Sequence, residues 1–294
     1  MRLGLLRLRC CLNFFFNLFH KLNKNKAQIK RLASYLAGLI EGDGYISSTI
    51  ESRVILGITF NSKDRPLAEK LLSLLGRGII VERKTNSIEL RFSEKNTILR
   101  IVNLINGHFR TPKIDQLFKL IDWLNNKYSM TINKLPLDDS PLVDNSWLTG
   151  FIDADGGFYI RYPQCLCKFA LEQRMIYPKT QESFFTILNK ICLFFNVKLA
   201  VRNRAQINKF YYVIRVENQK SNQILIYYLN KYPLLSSKHL DFLDWEKSFR
   251  AITQKAHKTE SGKQLILNYK NSMNDKRTYF NWDHLNNLGM PFFK

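Results

Sequence analysis

Acidic residues are scarce in this chain of 294: there are 24 Asp and Glu against 45 Lys and Arg, a formal charge of +21. A surplus this large on a folded chain calls for a polyanionic partner or a surface that tolerates its own repulsion. Nucleic acid is the first candidate and an anionic membrane the second; a basic protein that binds neither is the plain alternative. Cysteine is scarce too. The five present (Cys10, Cys11, Cys165, Cys167, Cys192) are odd in number and lack C-x-x-C spacing. That argues against a disulfide framework and a zinc knuckle, and it fits a reducing compartment. The histidines (His20, His108, His239, His257, His284) show no metal-ligand spacing, and no Ser-His-Asp, Walker or dinucleotide pattern occurs. No apolar run is long enough to span a membrane.

What is present is enough for a substantial core. Hydrophobic residues make up 45% and aromatics 13% of the chain, which argues against wholesale disorder and leaves room for two domains of ordinary size. Residues 1–30 stand apart, since no acid precedes Glu41 and bases recur at Arg2, Arg7, Arg9, Lys21, Lys24 and Lys26. Three readings fit this basic amphipathic start: an organelle transit peptide, a remnant of an upstream reading frame, or a helix packed on the body. The abundance of Lys, Asn, Ile, Phe and Tyr, whose codons are rich in A and T, fits a gene carried inside an organelle genome, a mitochondrion before a chloroplast.

An internal repeat organises the chain. Leu36-Ala37-Gly38-Leu39-Ile40-Glu41-Gly42-Asp43-Gly44 returns 112 residues later, from position 43 to position 155, as Leu148-Thr149-Gly150-Phe151-Ile152-Asp153-Ala154-Asp155-Gly156. In the first copy, strands are expected over 45–50, 53–60, 78–84 and 87–93, with helices over 64–75, 95–105 and 113–126. In the second, strands are expected over 157–162, 166–174, 196–204 and 209–217, with helices over 180–194, 219–229 and 238–250. The resulting division is a leader (1–30), a first domain (31–128), a linker with Pro136 and Pro141 (129–145), a second domain (146–250) and a basic extension of undefined structure (251–294).

Each nonamer begins as an apolar helix turn with small residues, which lets two helix backbones approach closely. It ends in acid-small-acid-Gly, and Gly44 and Gly156 suit a left-handed turn that stops a helix. Carboxylates at a helix C-terminus face the negative end of the macrodipole, and two such ends side by side repel further. A bound divalent cation would relieve both. The doubled nonamer resembles the signature of the LAGLIDADG homing endonucleases, and the resemblance covers roughly residues 31 to 250.

That resemblance implies an α+β fold of two pseudo-symmetric αββαββα repeats, whose four-stranded antiparallel sheets form a DNA-binding saddle. It implies a metal-dependent nuclease that cuts both strands of a long asymmetric duplex target and promotes intron mobility. The same scaffold is also found in RNA maturases, which assist intron splicing. It casts Asp43 and Asp155, with the backbone of Gly42 and Ala154, as metal ligands, and Glu41 and Asp153 as acids that orient the helix ends. The cofactor would be magnesium, with manganese as a substitute; no small-molecule cofactor is expected, and the chain would act as a monomer. Lys113, after Phe109-Arg110-Thr111-Pro112, and Lys238, after Leu234-Leu235-Ser236-Ser237, resemble the family's active-site lysines. Gln173 resembles a position that orders active-site water, with Phe60 or Asn61 as its first-half counterpart. Arg53, Lys84, Arg91, Arg161, Lys168, Arg202, Arg204 and Arg215 lie on expected strands or their turns, where they could contact bases or phosphates.

Overall fold

The computed structural model describes residues 26–48, 54–205 and 209–288. Helix α1 (26–43) leads directly into β1 (Gly44–Ser48), followed by β2 (Val54–Asn61), α2 (Arg65–Leu75), β3 (Ile79–Arg83), β4 (Ser87–Phe92), α3 (Lys95–Ile105) and α4 (Ile114–Tyr128). The order repeats as α5 (Trp147–Asp155), β5 (Gly156–Arg161), β6 (Leu166–Arg174), α6 (Phe185–Phe195), β7 (Leu199–Arg204), β8 (Lys209–Val216), α7 (Gln219–Lys231) and α8 (Lys238–Thr253). Each half contains an antiparallel four-stranded sheet, in the order β1-β2-β4-β3 and β5-β6-β8-β7. This is the α+β architecture that the family resemblance implies.

Alternation sets the two faces of each sheet. On β4, Ile88, Leu90 and Phe92 are buried against helices, while Ser87, Glu89 and Arg91 point the other way. On β6 the buried set is Cys167, Phe169 and Leu171. Helix propensity and capping do the local work. Glu94 accepts from the backbone N–H groups of Asn96 and Thr97 to start α3. Pro66 opens α2, and Gly76 at φ +124° closes it. Leu67, Ala68, Leu71, Leu74 and Leu75 give α2 its buried face.

Several expectations need correction. Gly44 and Gly156 do not occupy left-handed conformations; Gly156 has φ −84° and ψ 155°. Glycine is required there for space, because the strand leaves the helix without a turn between them. A Cβ at Gly44 would lie 2.7 Å from Ile40 Cα and Ile40 O, and one at Gly156 would lie 2.7 Å from Ile152 Cγ2. The helix expected from 180 begins at Phe185, since Ile176 and Ser183 first bridge a turn. The strand expected from 196 begins at Leu199, since Asn196 caps α6 in the left-handed region at φ 53°. The supposed leader contributes residues 26–30 to α1, and its first 25 residues lie outside the described part. The basic extension, for which no structure was expected or excluded, carries α9 (Glu260–Asn271), packed on α8. Among the described residues no helix is long and apolar enough to cross a membrane.

Candidate active site

Helices α1 and α5 cross at their small residues. A Cβ on Gly38 would collide with the carbonyl oxygen of Trp147, and one on Gly150 would collide with that of Tyr35. The serine hydroxyls of Ser34 and Ser146 share a hydrogen bond of 2.9 Å across the same interface. Gly38 and Gly150, Tyr35 and Trp147, and Ser34 and Ser146 are equivalent positions of the repeat, so these reciprocal contacts make α1 and α5 meet about a pseudo-twofold axis. Further along, Gly42 packs on the Ala154 side chain, and Asp155 Oδ2 lies 3.2 Å from where a Gly42 Cβ would stand. The crossing therefore brings both helix C-termini, and the acids on them, to one place.

Glu41 and Asp153 are buried and serve as acceptors. Glu41 takes backbone N–H groups of Arg110 (2.9 Å) and Thr111 (2.6 Å), and the indole N–H of Trp147 (2.5 Å). Asp153 takes the N–H of Leu235 (2.8 Å), the hydroxyl of Ser236 (2.5 Å) and the hydroxyl of Tyr35 (2.8 Å). Each acid thus binds the turn that carries its own half's lysine and an aromatic residue from the other half's motif helix. Sequence reasoning missed Tyr35 and Trp147. Their only signal was their equivalent place three residues before Gly38 and Gly150. Burial pushes Glu41 up to about 7 against those hydrogen bonds, and it raises Asp153 as well.

The two lysines occupy equivalent positions, although their spacing to the next tryptophan differs. Lys113 Nζ donates to the carbonyls of Gly42 (2.9 Å), Gly44 (2.9 Å) and Ile40 (3.3 Å). Lys238 Nζ donates to those of Asp153 (2.7 Å), Ala154 (2.8 Å) and Ile152 (3.3 Å). An ammonium at the negative end of each helix offsets part of the unfavourable charge there. Burial lowers both lysines' affinity for their proton, while the acids of both halves hold it up. The carbonyls of Gly42 and Ala154, expected to face a metal, accept hydrogen bonds from these lysines.

Among the described residues no backbone N–H holds the Asp43 or Asp155 carboxylate. Burial raises both above the ordinary carboxylate range; Asp155, with Asp43 beside it, is pushed up to about 7. Lys113 and Lys238 oppose that shift. Gln173 Nε2 donates to Asp155 Oδ2 at 2.9 Å. In the pairing of β1 with β2, Gly44 faces Ile58, and in that of β5 with β6, Gly156 faces Leu171. Gln173 therefore corresponds to Phe60, an apolar residue, while Asn61 caps the next turn through Lys63 N–H.

Among the described residues no three His, Cys, Asp or Glu converge to cage an ion. The helix ends offer two carboxylates whose raised proton affinity reflects an unmet need for positive charge. A hard cation that keeps most of its water and completes its shell with substrate phosphate fits such a donor set, and magnesium is of that kind.

The basic strand residues do not join this cluster. They spread over the outward faces of the sheets, where Arg91, Arg161, Lys168, Arg202, Arg204 and Arg215 point away from the core and Lys84 sits at the tip of the β3–β4 hairpin. Arg53 lies outside the described residues. Several of the others are already engaged: Lys168 pairs with Glu217 (2.6 Å), Arg202 and Arg204 pair with Glu172, and Arg91 pairs with Glu89. Arg83, on the same outward face, was missed.

A family model described as LAGLIDADG endonuclease matches residues 36–124 and 148–249, both halves of the chain. The chain belongs to the LAGLIDADG endonuclease family. It is 34% identical to the intron-encoded DNA endonuclease aI3 of Saccharomyces cerevisiae, over 89% of this chain and 74% of that protein. It is 27% identical to a probable intron-encoded endonuclease 4 of Neurospora crassa, over 82% of this chain but only 44% of that longer relative. The solved structure of the LAGLIDADG homing endonuclease I-GzeII in complex with its DNA target has the same fold. It aligns with a TM-score of 0.65 at 18% identity, over 84% of this chain and 99% of that one.

Proposed function

We propose that this chain is a site-specific homing endonuclease that hydrolyses one phosphodiester in each strand of a long, asymmetric duplex DNA target and so promotes the mobility of the intron encoding it. The carrying observation is the meeting of Asp43 and Asp155 at one point on the pseudo-twofold axis, each beside a half-buried lysine. LAGLIDADG endonucleases use divalent metal. In this chain Asp43 and Asp155 would hold it, magnesium for preference and manganese as a substitute. When bound, it supplies positive charge for the scissile phosphate and lowers the pKa of water.

The chain's own residues prepare that chemistry. Glu41 and Asp153 fix the turns that carry Lys113 and Lys238. The ammonium groups hold the helix ends and present positive charge where anionic charge would build up on phosphate. Gln173 orients the Asp155 carboxylate. The outward sheet faces, dense in arginine and lysine, would form the saddle for the duplex, and the unlike halves imply an asymmetric site. One chain supplies both motifs, so a monomer suffices. Residues 31–128 and 146–250 would act as the two DNA-reading units, joined by 129–145. Relatives include a cox1 intron-2 protein of Schizosaccharomyces pombe, in keeping with a mitochondrial setting. Intron RNA is a second candidate ligand, because half of this chain is 28% identical to the intron-encoded RNA maturase bI4 of Saccharomyces cerevisiae.

The test is cleavage of a randomised duplex library with magnesium, beside Asp43→Asn/Asp155→Asn. Sequence-specific double-strand breaks by the parent chain alone are expected. Binding without cutting by both proteins would overturn the nuclease reading and turn attention to intron RNA.

A further inference from the structure

Glu89 is out of place on a face meant for a polyanion. It lies on the outward side of β4, yet its side chain is only 3% exposed. Its own partners cover it. Arg83 Nε donates to Oε2 at 2.7 Å, and a second nitrogen of that guanidinium donates to the same oxygen. Arg91, two residues along β4, donates to Oε2 at 2.9 Å, and the Tyr45 hydroxyl donates to Oε1. Burial alone would raise this carboxyl; the guanidinium and hydroxyl donors hold it down to about 2.

The second sheet contains the same device made from different residues. Glu172 on β6 takes Arg204 Nε on Oε1 at 2.8 Å and Arg202 on Oε2 at 3.1 Å. The Arg204 guanidinium also lies over the Tyr211 ring, 4.6 Å from its centroid. By contrast, no ion pair holds the outward Arg161 or Arg215 among the described residues.

A carboxylate beside an arginine weakens that arginine's attraction for phosphate, so these acids make no sense as aids to backbone binding. They do make sense for base reading. A free arginine samples many rotamers, and a guanidinium reads guanine only when its plane is aligned with the base edge. A carboxylate on one edge of the guanidinium fixes that plane and leaves the other edge free. We propose that Glu89 and Glu172 are specificity-determining positioning residues, each holding a pair of arginines (Arg83 with Arg91, Arg202 with Arg204) in fixed orientation to read base edges in its own half of the target. Arg161 and Arg215 serve as phosphate contacts. The inference rests on the DNA-binding reading above and deepens it.

The experiment compares the full chain with Glu89→Gln and Glu172→Gln in magnesium-free binding to a randomised duplex library, followed by affinities for the selected sequence, its single-base variants and a random duplex. Glu89→Gln is expected to lose about tenfold in discrimination at one to three base pairs confined to one half of the site. Glu172→Gln should do the same in the other half. Both should bind random duplex at least as tightly as the parent, because a negative charge has been removed. A parent that selects a site, with variants that select it equally well or loosen it evenly across both halves, overturns this inference alone. A parent that selects nothing removes the DNA-reading function and this inference with it. Circular dichroism establishes that each variant is folded; if one is not, the confinement of the effect in the other half decides.

Discussion

Both halves place an acid, a lysine and a second, buried acid in matching geometry, but what surrounds each set differs. Beside Asp155 stands Gln173; at the matching place near Asp43 stands Phe60. The turn carrying Lys113 is braced by the linker, where Asp138 N–H donates to Phe109 O (2.8 Å) and Arg110 binds Asp138 and Ser140. The turn carrying Lys238 is braced by the C-terminal extension, where His284 contacts Leu235 O (3.0 Å) and Arg277 binds Asp241 and Asp244 at the start of α8. After Lys113 comes Ile114; after Lys238 comes His239. The shared features are those where each half is part of the other's environment, as in the bonds from Trp147 to Glu41 and from Tyr35 to Asp153. Away from the axis, each half is braced by the segment that follows it in the chain.

The largest test of this contrast concerns the braces. Arg110 is buried to 1% side-chain exposure, and its loss would strand Asp138. Arg110→Ala should destabilise by about 3–5 kcal/mol, the usual result of breaking a buried ion pair on one side. Arg277 is more exposed, at 11%, and its two acids keep other donors, the Asn274 N–H on Asp241 and the Ser272 hydroxyl on Asp244. Arg277→Ala should cost about 2–3 kcal/mol. Denaturant unfolding of both variants checks the order, and the reverse order would mean that the extension is the tighter brace.

The next test concerns the acids' neighbours. Gln173→Leu makes the second half resemble the first, and it should slow cleavage of one strand about tenfold while sparing the other, as loss of a group orienting a metal ligand commonly does. Phe60→Gln should leave both strands near the parent rate. Duplexes labelled on each strand provide the readout, and equal slowing of both strands by Gln173→Leu would contradict a role confined to Asp155.

The smallest expected effect is the pH dependence of His239, whose counterpart in the first half, Ile114, does not titrate. His239 stacks on His284 with centroids 4.3 Å apart, and burial, with His284 adding to it, lowers its pKa to about 4. The unfolded value is near 6.5, so folding favours the neutral ring. Its stability contribution is therefore complete above about pH 6.5 and is lost as pH falls toward 4. At this half-buried site the loss should be about 1–2 kcal/mol after solvent screening. His239→Phe keeps the stack without the titration, and its melting temperature should fall less between pH 6.5 and 4.5 than that of the parent. Parallel curves would place the acid sensitivity elsewhere.

Much of the site was legible because it is written twice. The nonamer marked Asp43, Asp155, Glu41 and Asp153, and the turns before Lys113 and Lys238 could be aligned although their tryptophans could not. Trp123 and Trp245 follow those lysines at different spacings and differ in burial: Trp245 is fully buried and Trp123 only partly so. The choice between Phe60 and Asn61 needed strand register, which sequence spacing does not fix to one residue. The glycine rationale failed for a similar reason. A helix ending in Gly usually signals a left-handed cap, and only the packing shows Gly44 and Gly156 pressed against Ile40 and Ile152 instead.

The sequence by itself determined the repeat, the element order, the basic surface and the acids at two helix ends, because these depend on local periodicity and composition. The tertiary structure alone decided what those acids touch. Tyr35 with Asp153, Trp147 with Glu41, and Tyr45 with Glu89 are joined by helix crossing and strand pairing. Such contacts depend on distances between segments far apart in the chain, and no local pattern encodes them.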